Sequence, residues 1–571
     1  MMMIATAIQM AQPQQTDKSF FEITIMLDAA NIDAVEIMKS GWEQIGIKVN
    51  VVSMEFSSMY SKYMFRESFA GATYDEGGYD ICLTGGVYAE DPDSFSAYHS
   101  DSRLGIGRYP NYNMMMYSNG EVDRLLEEGL KAVDRDVRIP IYRRIEEVIH
   151  EEVPVIYLYR DPAIKGTTAN LDLGQWRVLP GSSLYLYANE FKFTDQEGGE
   201  MVFIGDQNPP GLNAAFSITT VGANNAYLIQ QALARTTVPF GTYQPVLAES
   251  WEVSEDQKTY TFHIRQGVTW QDGEPFDAED VKFTYDLYMN PDAGFSGHGL
   301  FAANVKEVRM IDQYTIELET NEVFAPAIYR FARVIILPEH ILGEVNPAEL
   351  RTHPFNKQPI GTGPFKVIEW VDDEYIQYEA YEDYWEGTPE LDSILFRVIP
   401  DKATGIAALE AGEVHLIEQQ IYRTALVQNY DRLKDDPDLE VSVDPPTGVN
   451  YLILNLEHPV LANKYVRQAM AHAIDLDGII EGPYAGLAVG FSQRYSSLLE
   501  GYYNPDIKNY EYSIEAAKEL MEKAGYSYEL LEEPEPEEVT PTTDYTMVVG
   551  GLVVGAVIGF AVDRYVVRKE T

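Results

Sequence analysis

Gly361-Thr362-Gly363-Pro364 is the stretch of this 571-residue sequence that comes nearest to a phosphate cradle, and it falls short of one. Lys366 stands where a GxGxxG loop needs its third glycine, and no Gly-Lys-Ser/Thr follows anywhere, so the backbone amides that wrap a pyrophosphate are not pre-arranged. A turn that returns the chain to a lobe after an excursion accounts for it better. The nine histidines include no HExxH and no pair at metal-ligand spacing. Cys82, the sole cysteine, can build neither a thiolate cluster nor an intrachain disulfide. It follows Tyr79, Asp80 and Ile81 in a strand-like run and reads as a small buried hydrophobe. Carboxylates number 90 against 42 Lys and Arg, so no one pair stands out as acid and base. The sequence displays binding residues without a catalytic set, and no enzyme activity, cofactor or metal is expected.

A formal charge of −48 excludes nucleic acid as a partner, since phosphates demand clustered Lys and Arg. It suits a heavily solvated exterior or a salty habitat. Thirty-nine tyrosines offer flat apolar faces with a hydroxyl at low rotamer cost, a composition that suits sugar and peptide recognition as well as core packing.

The elements that would position such residues alternate along the first third. Ile23, Ile25 and Leu27 alternate as a strand, a helix through Val35, Met38 and Trp42 stops at Gly46, and 47–52 and 79–83 read as further strands. Two charged helices follow at about 121–133 and 137–151, then a strand-like VPVIYLY at 153–159. This alternation predicts an α/β lobe with ligands near the loops that leave strand ends. Further on, Tyr260, Phe262 and Ile264 alternate with polar residues, Asp272-Gly273 has turn chemistry, and Asp277 can N-cap a helix that lines up Val281, Tyr285 and Tyr288.

The wording of 248–285, AESWEVSEDQKTYTFHIRQGVTWQDGEPFDAEDVKFTY, resembles the signature of the family 5 extracellular solute-binding proteins. These are the receptors that feed oligopeptides, dipeptides, nickel complexes or oligosaccharides to ATP-driven importers of the ABC class. The resemblance continues through PIGTGPFKVIEW (359–370), DYWEGTPELDSILFRVIPD (383–401) and NYLILNLEHPVLANKYVRQAMAHAIDLDGII (450–480). Residues 200–526 thus resemble the family's N-terminal portion. Residues 20–195 resemble its C-terminal half, from IGIKVNVVSMEF and AEDPDSF (89–95) to YLYANEFKF (185–193), which looks like a closing strand. SIEAAKELMEKAGY (513–526) is similar to the helix that in the family precedes the strand found here near residue 22. Two histories account for this order: a circular permutant joined at 194–199, or the middle of a tandem pair that has lost its outer halves. Only the permutant buries every core face within one chain.

The resemblance implies a bilobal α/β fold of the periplasmic-binding-protein type II kind, with an extra subdomain at about 246–345. One lobe would combine 160–245 with 346–445, and the other 446–526 with 20–159. It also implies a cleft between lobes that close like a hinge. Peptide receptors of the family carry an Asp four residues before the Pro92 position to pair with the peptide amine. Tyr88 occupies that place here, so either Glu90 and Asp91 form a shifted clamp or the ligand lacks a free amine and stacks on Tyr88. Asn450, Tyr451 and Asn455 fall in a segment that borders the cleft in relatives. Gly222 and Ala223 match one that pairs edge-on with the ligand backbone. Trp270 reads as core, and Arg265 as half of an internal ion pair.

The sequence ends in an acidic, Pro- and Thr-containing stretch at 527–545, read as a stalk, and an uncharged apolar run at 546–562. At about 1.5 Å per residue that run nearly crosses a bilayer core, and Arg564, Arg568 and Lys569 place its far end in the cytoplasm. Gly551, Gly555 and Gly559 repeat every fourth residue, as in helices that dimerise closely. Residues 1–19 remain unassigned. They hold no basic leader region, which points to a misassigned start or a fragment. The expected function is capture of a peptide or other small solute outside a membrane to which the chain is tethered, for delivery to an ABC permease. The alternatives are an extracellular glycan- or peptide-processing enzyme and a nonfunctional fragment of a tandem receptor.

Overall fold

The strand Phe21–Leu27 is buried without a break from Ile23 onward, where the sequence pattern predicted alternation. It lies between Ile47–Ser53 and Ile81–Val87, parallel to both, so Thr24 and Met26 are covered as fully as Ile23 and Ile25. The computed structural model describes residues 19–531, apart from 29–30, 65–67, 69, 88–89, 105–111, 176–178, 180, 217–218, 296 and 445–447. Residues up to Ser527 form one unit; beyond it, Tyr528–Leu530 make a short 3-10 turn.

Three larger sheets carry the described residues. The first runs Ile47–Ser53, Phe21–Leu27, Ile81–Val87, Gly448–Leu454, Val155–Arg160 and Val489–Gly490. It therefore draws on both ends of the chain. The second has seven strands, in the order Phe365–Val371, Tyr375–Ala380, Ser393–Val398, Glu200–Gly205, Leu416–Glu418, Ala163–Thr168 and Leu439–Asp444. The third is antiparallel, built from Ala248–Val253, Thr259–Ile264, Thr315–Thr320 and Val305–Asp312, and packs on the helix Ala278–Met289.

The chain passes between the first two sheets at two neighbouring places. Val155–Arg160 leads into Ala163–Thr168 through Asp161-Pro162 alone, and Leu439–Asp444 leads into Gly448–Leu454. Ala163 and Asp444 are paired in register. Lys165 Nζ lies 2.7 Å from Asp444 Oδ2, with both side chains almost fully buried, so an ion pair holds the two crossings together on the second-sheet side.

The segment at 248–285 folds as its residues dictate. Thr259–Ile264 alternates half-buried and buried positions. Asp277 caps the following helix with Asp280 completing a capping box, and Val281, Tyr285 and Tyr288 are buried together. Trp270 is core, its indole N–H donating to Asp280 Oδ2 at 3.2 Å. Arg265 makes no ion pair among the described residues. Its Nε donates to Val246 O at 2.8 Å and its guanidinium lies 4.3 Å from the Trp385 ring centre. Gly361 belongs to a turn packed against Ile229, whose carbonyl oxygen would lie 1.8 Å from a Cβ there.

Residues 185–193 are not a closing strand. Gly181–Glu190 is 3-10 helical, and only Lys192–Phe193 pairs, with Leu171–Asp172. Tyr185, Ala188 and Phe191 recur every third residue and are all buried, which fits a three-residue turn better than a two-residue pleat. The turn at 194–199 then leads directly into Glu200–Gly205, with Gly198 and Gly199 at positive φ. At the other junction, the Tyr526 ring lies 5.1 Å from that of Phe20 and 5.3 Å from that of Phe21, so the helix Ile514–Lys523 ends beside the first strand. The stretch 546–562, with Gly551, Gly555 and Gly559, lies outside the described residues; among those described, no helix is long and apolar enough to cross a membrane.

Candidate ligand-binding cleft

The loop that leaves Ile81–Val87 is braced from both sides. Tyr88 lies outside the described residues, and Glu90 and Asp91, which follow it, are buried. Asp91 receives both Arg138 nitrogens, Nη1 at 2.7 Å on Oδ2 and Nη2 at 2.8 Å on Oδ1. Arg138 comes from the helix Arg135–Glu152, whose inward face carries Arg138, Tyr142, Ile145, Glu146 and Ile149 at helical spacing. Asp91 and Asp93 accept the amides of Asp93 and Phe95, and Tyr495 donates its hydroxyl to Pro92 O at 2.8 Å.

The same loop meets the other half of the molecule. Arg333 Nη1 lies 2.7 Å from Glu90 Oε2, and Arg330 Nη2 lies 3.2 Å from Asp93 Oδ2. Both arginines follow the third sheet and flank Phe331, which belongs to that sheet's core. Phe240, from the segment after the second sheet's Glu200–Gly205, donates its amide to Leu498 O at 2.8 Å. Each of the two carboxylates expected to serve as a shifted amine clamp thus faces an arginine of the protein itself.

Asn450 and Tyr451 lie on Gly448–Leu454, opposite Gly85 and Thr84 respectively. Asn450 is buried, and its Nδ2 has no hydrogen-bond partner among the described residues. The Tyr451 hydroxyl would lie 3.5 Å from a Cβ at Gly86, so it faces the end of the strand from which the loop departs. Burial first of all pushes the Tyr451 phenol upward in pKa, and the Arg494 charge opposes this. Asn455, by contrast, is fully buried and saturated. Its Nδ2 donates to Gly71 O, Ala72 O and Tyr79 O at 3.1, 3.0 and 2.9 Å, and its Oδ1 accepts the Glu457 amide. It holds the 71–79 loop against the strand.

Gly222 and Ala223 are helical, within Thr220–Ala226. Thr219 caps that helix, its Oγ1 accepting the Gly222 amide at 3.2 Å and its carbonyl the Ala223 amide at 3.0 Å. The N–H groups that edge pairing with a ligand backbone would use are therefore engaged within the helix. Sequence reasoning also passed over Arg330 and Arg333. No local pattern marks them, because what distinguishes them is the loop they meet across the fold. Among the described residues no cluster of His, Cys, Asp and Glu could hold a metal ion.

Comparison with known proteins agrees with the signature segment. Residues 242–549, more than half of the chain, match the model described as "Bacterial extracellular solute-binding proteins, family 5 Middle". The chain is 31% identical over 348 residues to the dipeptide-binding protein of Escherichia coli (strain K12), covering 57% of this chain and 63% of that protein. It is 31% identical over 305 residues to heme-binding protein A of Haemophilus influenzae, with 50% and 54% covered. With the oligopeptide-binding protein AppA of Bacillus subtilis it shares 30% identity over 340 residues, with 58% and 60% covered. The matched region thus spans between half and under two thirds of these relatives. Among solved structures, AppA from Bacillus subtilis with a nonapeptide superposes with a TM-score of 0.47 at 25% identity, over 58% of this chain and 65% of that one. The family model covers more than half of the chain, and the chain belongs to the family 5 bacterial extracellular solute-binding proteins, which bind and do not catalyse.

Proposed function

We propose that the chain captures a peptide or another small solute between its two lobes and hands it to the permease of an ABC importer. The observations that carry this reading are the meeting of Glu90 and Asp93 with Arg333 and Arg330 and, on the strand Gly448–Leu454, an Asn450 amide that lacks a partner among the described residues. A buried donor left unsatisfied costs roughly 1–3 kcal/mol, which a ligand oxygen would recover. Tyr88, Glu90, Asp91, Asn450 and Tyr451 would line the ligand's second-lobe side. Gly222 and Ala223 would contribute wall, and Asn455 would support the strand from behind. The relatives are named for dipeptides, heme and oligopeptides, and that range motivates the cargo class proposed here.

Residues 546–562 would anchor the chain with its bulk outside the cell, and Gly551, Gly555 and Gly559 would allow weak pairing of two anchors. The shared first sheet and the approach of Tyr526 to Phe20 support a permuted order of the family's two halves. A thermal-shift screen of the full chain against short peptides, heme, nickel chelates and oligosaccharides tests the reading, with mass spectrometry of each mixture. Saturable stabilisation without product is expected, about 2.7 kcal/mol at a hundredfold excess over Kd. Conversion of any probe, or no stabilisation across the panel, would contradict it.

A further inference from the structure

One buried ammonium serves two buried carboxylates where the chain crosses between the first two sheets. Glu418 and Lys165 sit opposite each other on neighbouring strands, and Lys165 faces Ser442, two residues before Asp444, on its other side. Strand alternation therefore puts Glu418, Lys165 and Asp444 on one face of the second sheet. Lys165 Nζ makes the direct contact with Asp444 Oδ2, at 2.7 Å. Glu418 is almost fully buried, and its Oε1 is sealed from solvent with no hydrogen-bond partner among the described residues. The position matters as much as the charge. Lys165 lies just past Asp161-Pro162, and Asp444 ends the strand that leads into Gly448–Leu454, so their contact ties together the two segments about which the lobes would bend.

The other elements around Glu418 bring it no second cation. Tyr185, from the 3-10 helix over this face, presents a buried phenol. The strand Glu200–Gly205 meets Leu416 through Phe203, and its one charged residue, Glu200, stands at the far end. Leu439–Asp444 adds only Glu440, an exposed carboxylate. The helices Lys402–Glu410 and Gln419–Lys434 pack on the opposite face, where Lys402 pairs with Asp206 and Arg423 with Asp161. One cation compensates one carboxylate, so the second is stable in this dry site only as the neutral acid. Desolvation raises the Glu418 carboxyl from 4.5 to about 7, with Tyr185 and Lys165 opposing the rise and Asp444 adding to it.

We propose that Glu418, Lys165 and Asp444 form a proton-operated clasp on the hinge. With Glu418 neutral, Lys165 belongs to Asp444 and the two crossings stay together. When Glu418 gives its proton to water, two carboxylates compete for one ammonium, the crossings loosen and the lobes part more readily. Parting admits water to Glu418, so the open form holds the proton less tightly than the closed one. The closed form therefore gains as pH falls through about 7, and the open-to-closed ratio rises by up to about tenfold per pH unit above it. On the interlobe-capture reading, on which this consequence alone rests, cargo is held more tightly at acid pH.

Small-angle scattering of the full, unliganded chain at pH 6 and pH 8 tests the clasp without any cargo. The wild-type radius of gyration should rise from pH 6 to pH 8. Glu418→Gln, which keeps the size but cannot ionise, should hold the pH 6 value at both. Lys165→Met lacks the clasp and should show the larger radius at both. Glu146→Gln, which removes another carboxyl raised to about 7, should respond like wild type. An unchanged wild-type radius, or an equal rise in Glu418→Gln, overturns the proposal. So does a Glu146→Gln chain that no longer responds, since the titrating group then lies elsewhere. If a cluster variant fails to fold, hydrogen exchange of the wild type decides. Rates corrected for their intrinsic pH dependence should quicken from pH 6 to pH 8 in 160–168 and 439–444, and unchanged rates there overturn the clasp. Either result leaves the capture reading to the solute panel above, which needs no change of pH.

Discussion

Arg333 and Glu90 face each other at 2.7 Å across the two halves of the molecule, one following the third sheet and the other in the loop that leaves the first. Removing one partner leaves a buried charge without its counter-ion. Arg333→Gln is expected to disfavour the lobe contact by on the order of 3 kcal/mol. Small-angle scattering of the unliganded chain should then show a larger radius of gyration. The double variant Arg333→Leu/Glu90→Leu should restore most of the wild-type value. An unchanged radius in Arg333→Gln would show that the pair does not hold the halves together.

Asp91 and Arg138 form a bidentate pair with both side chains almost fully buried. Arg138→Met should lower unfolding stability by about 3–5 kcal/mol in urea titrations, because Asp91 is left charged in a dry site. Asp91→Asn, which keeps one acceptor for Arg138, should cost less. Equal losses from the two would contradict this account.

Stability should fall as pH rises from about 5 to 8. Glu146 and Glu418 are buried, and desolvation raises both carboxyls from 4.5 to about 7. The folded chain therefore keeps protons that the unfolded chain releases near 4.5. The associated stability is fully present below that value and is lost as pH rises through about 7. Each group accounts for up to roughly 3 kcal/mol. Glu146→Gln should raise the melting temperature at pH 8, change it little at pH 5, and flatten the pH profile between them. A parallel offset at both pH values would show that Glu146 is not the group responsible.

If the family's two halves are reordered here, the chain should tolerate being reordered again. Tyr526 lies beside Phe20, so a linker of about four Gly/Ser residues can bridge that junction. A chain opened between Asp195 and Glu200 and joined there should fold with the same far-ultraviolet spectrum and with stability within about 2 kcal/mol of the parent. Failure to fold would indicate that the 194–199 turn has become indispensable.

Much of the architecture was legible because local chemistry and tertiary packing agree. The 259–264 strand, the Asp277 cap and the face of Val281, Tyr285 and Tyr288 needed only periodicity and capping. Agreement failed where a distant partner decided the outcome. Residues 185–191 form a 3-10 helix because Tyr185, Ala188 and Phe191 meet one core at three-residue spacing. Thr219 turns Gly222 and Ala223 into a helix, which composition alone does not signal. Glu90 and Asp91 were visible as carboxylates near a cleft, but their arginine partners lie 243 and 47 residues away in sequence.

Hydrogen exchange on the full chain, with and without the strongest stabilising solute from the panel, tests the central claim most directly. Capture between lobes predicts slowed exchange at two separate places at once, in 90–99 and 448–452 on one side and in 219–245 and 325–334 on the other. Protection confined to one of these sides, or to neither, would contradict a ligand held between the lobes.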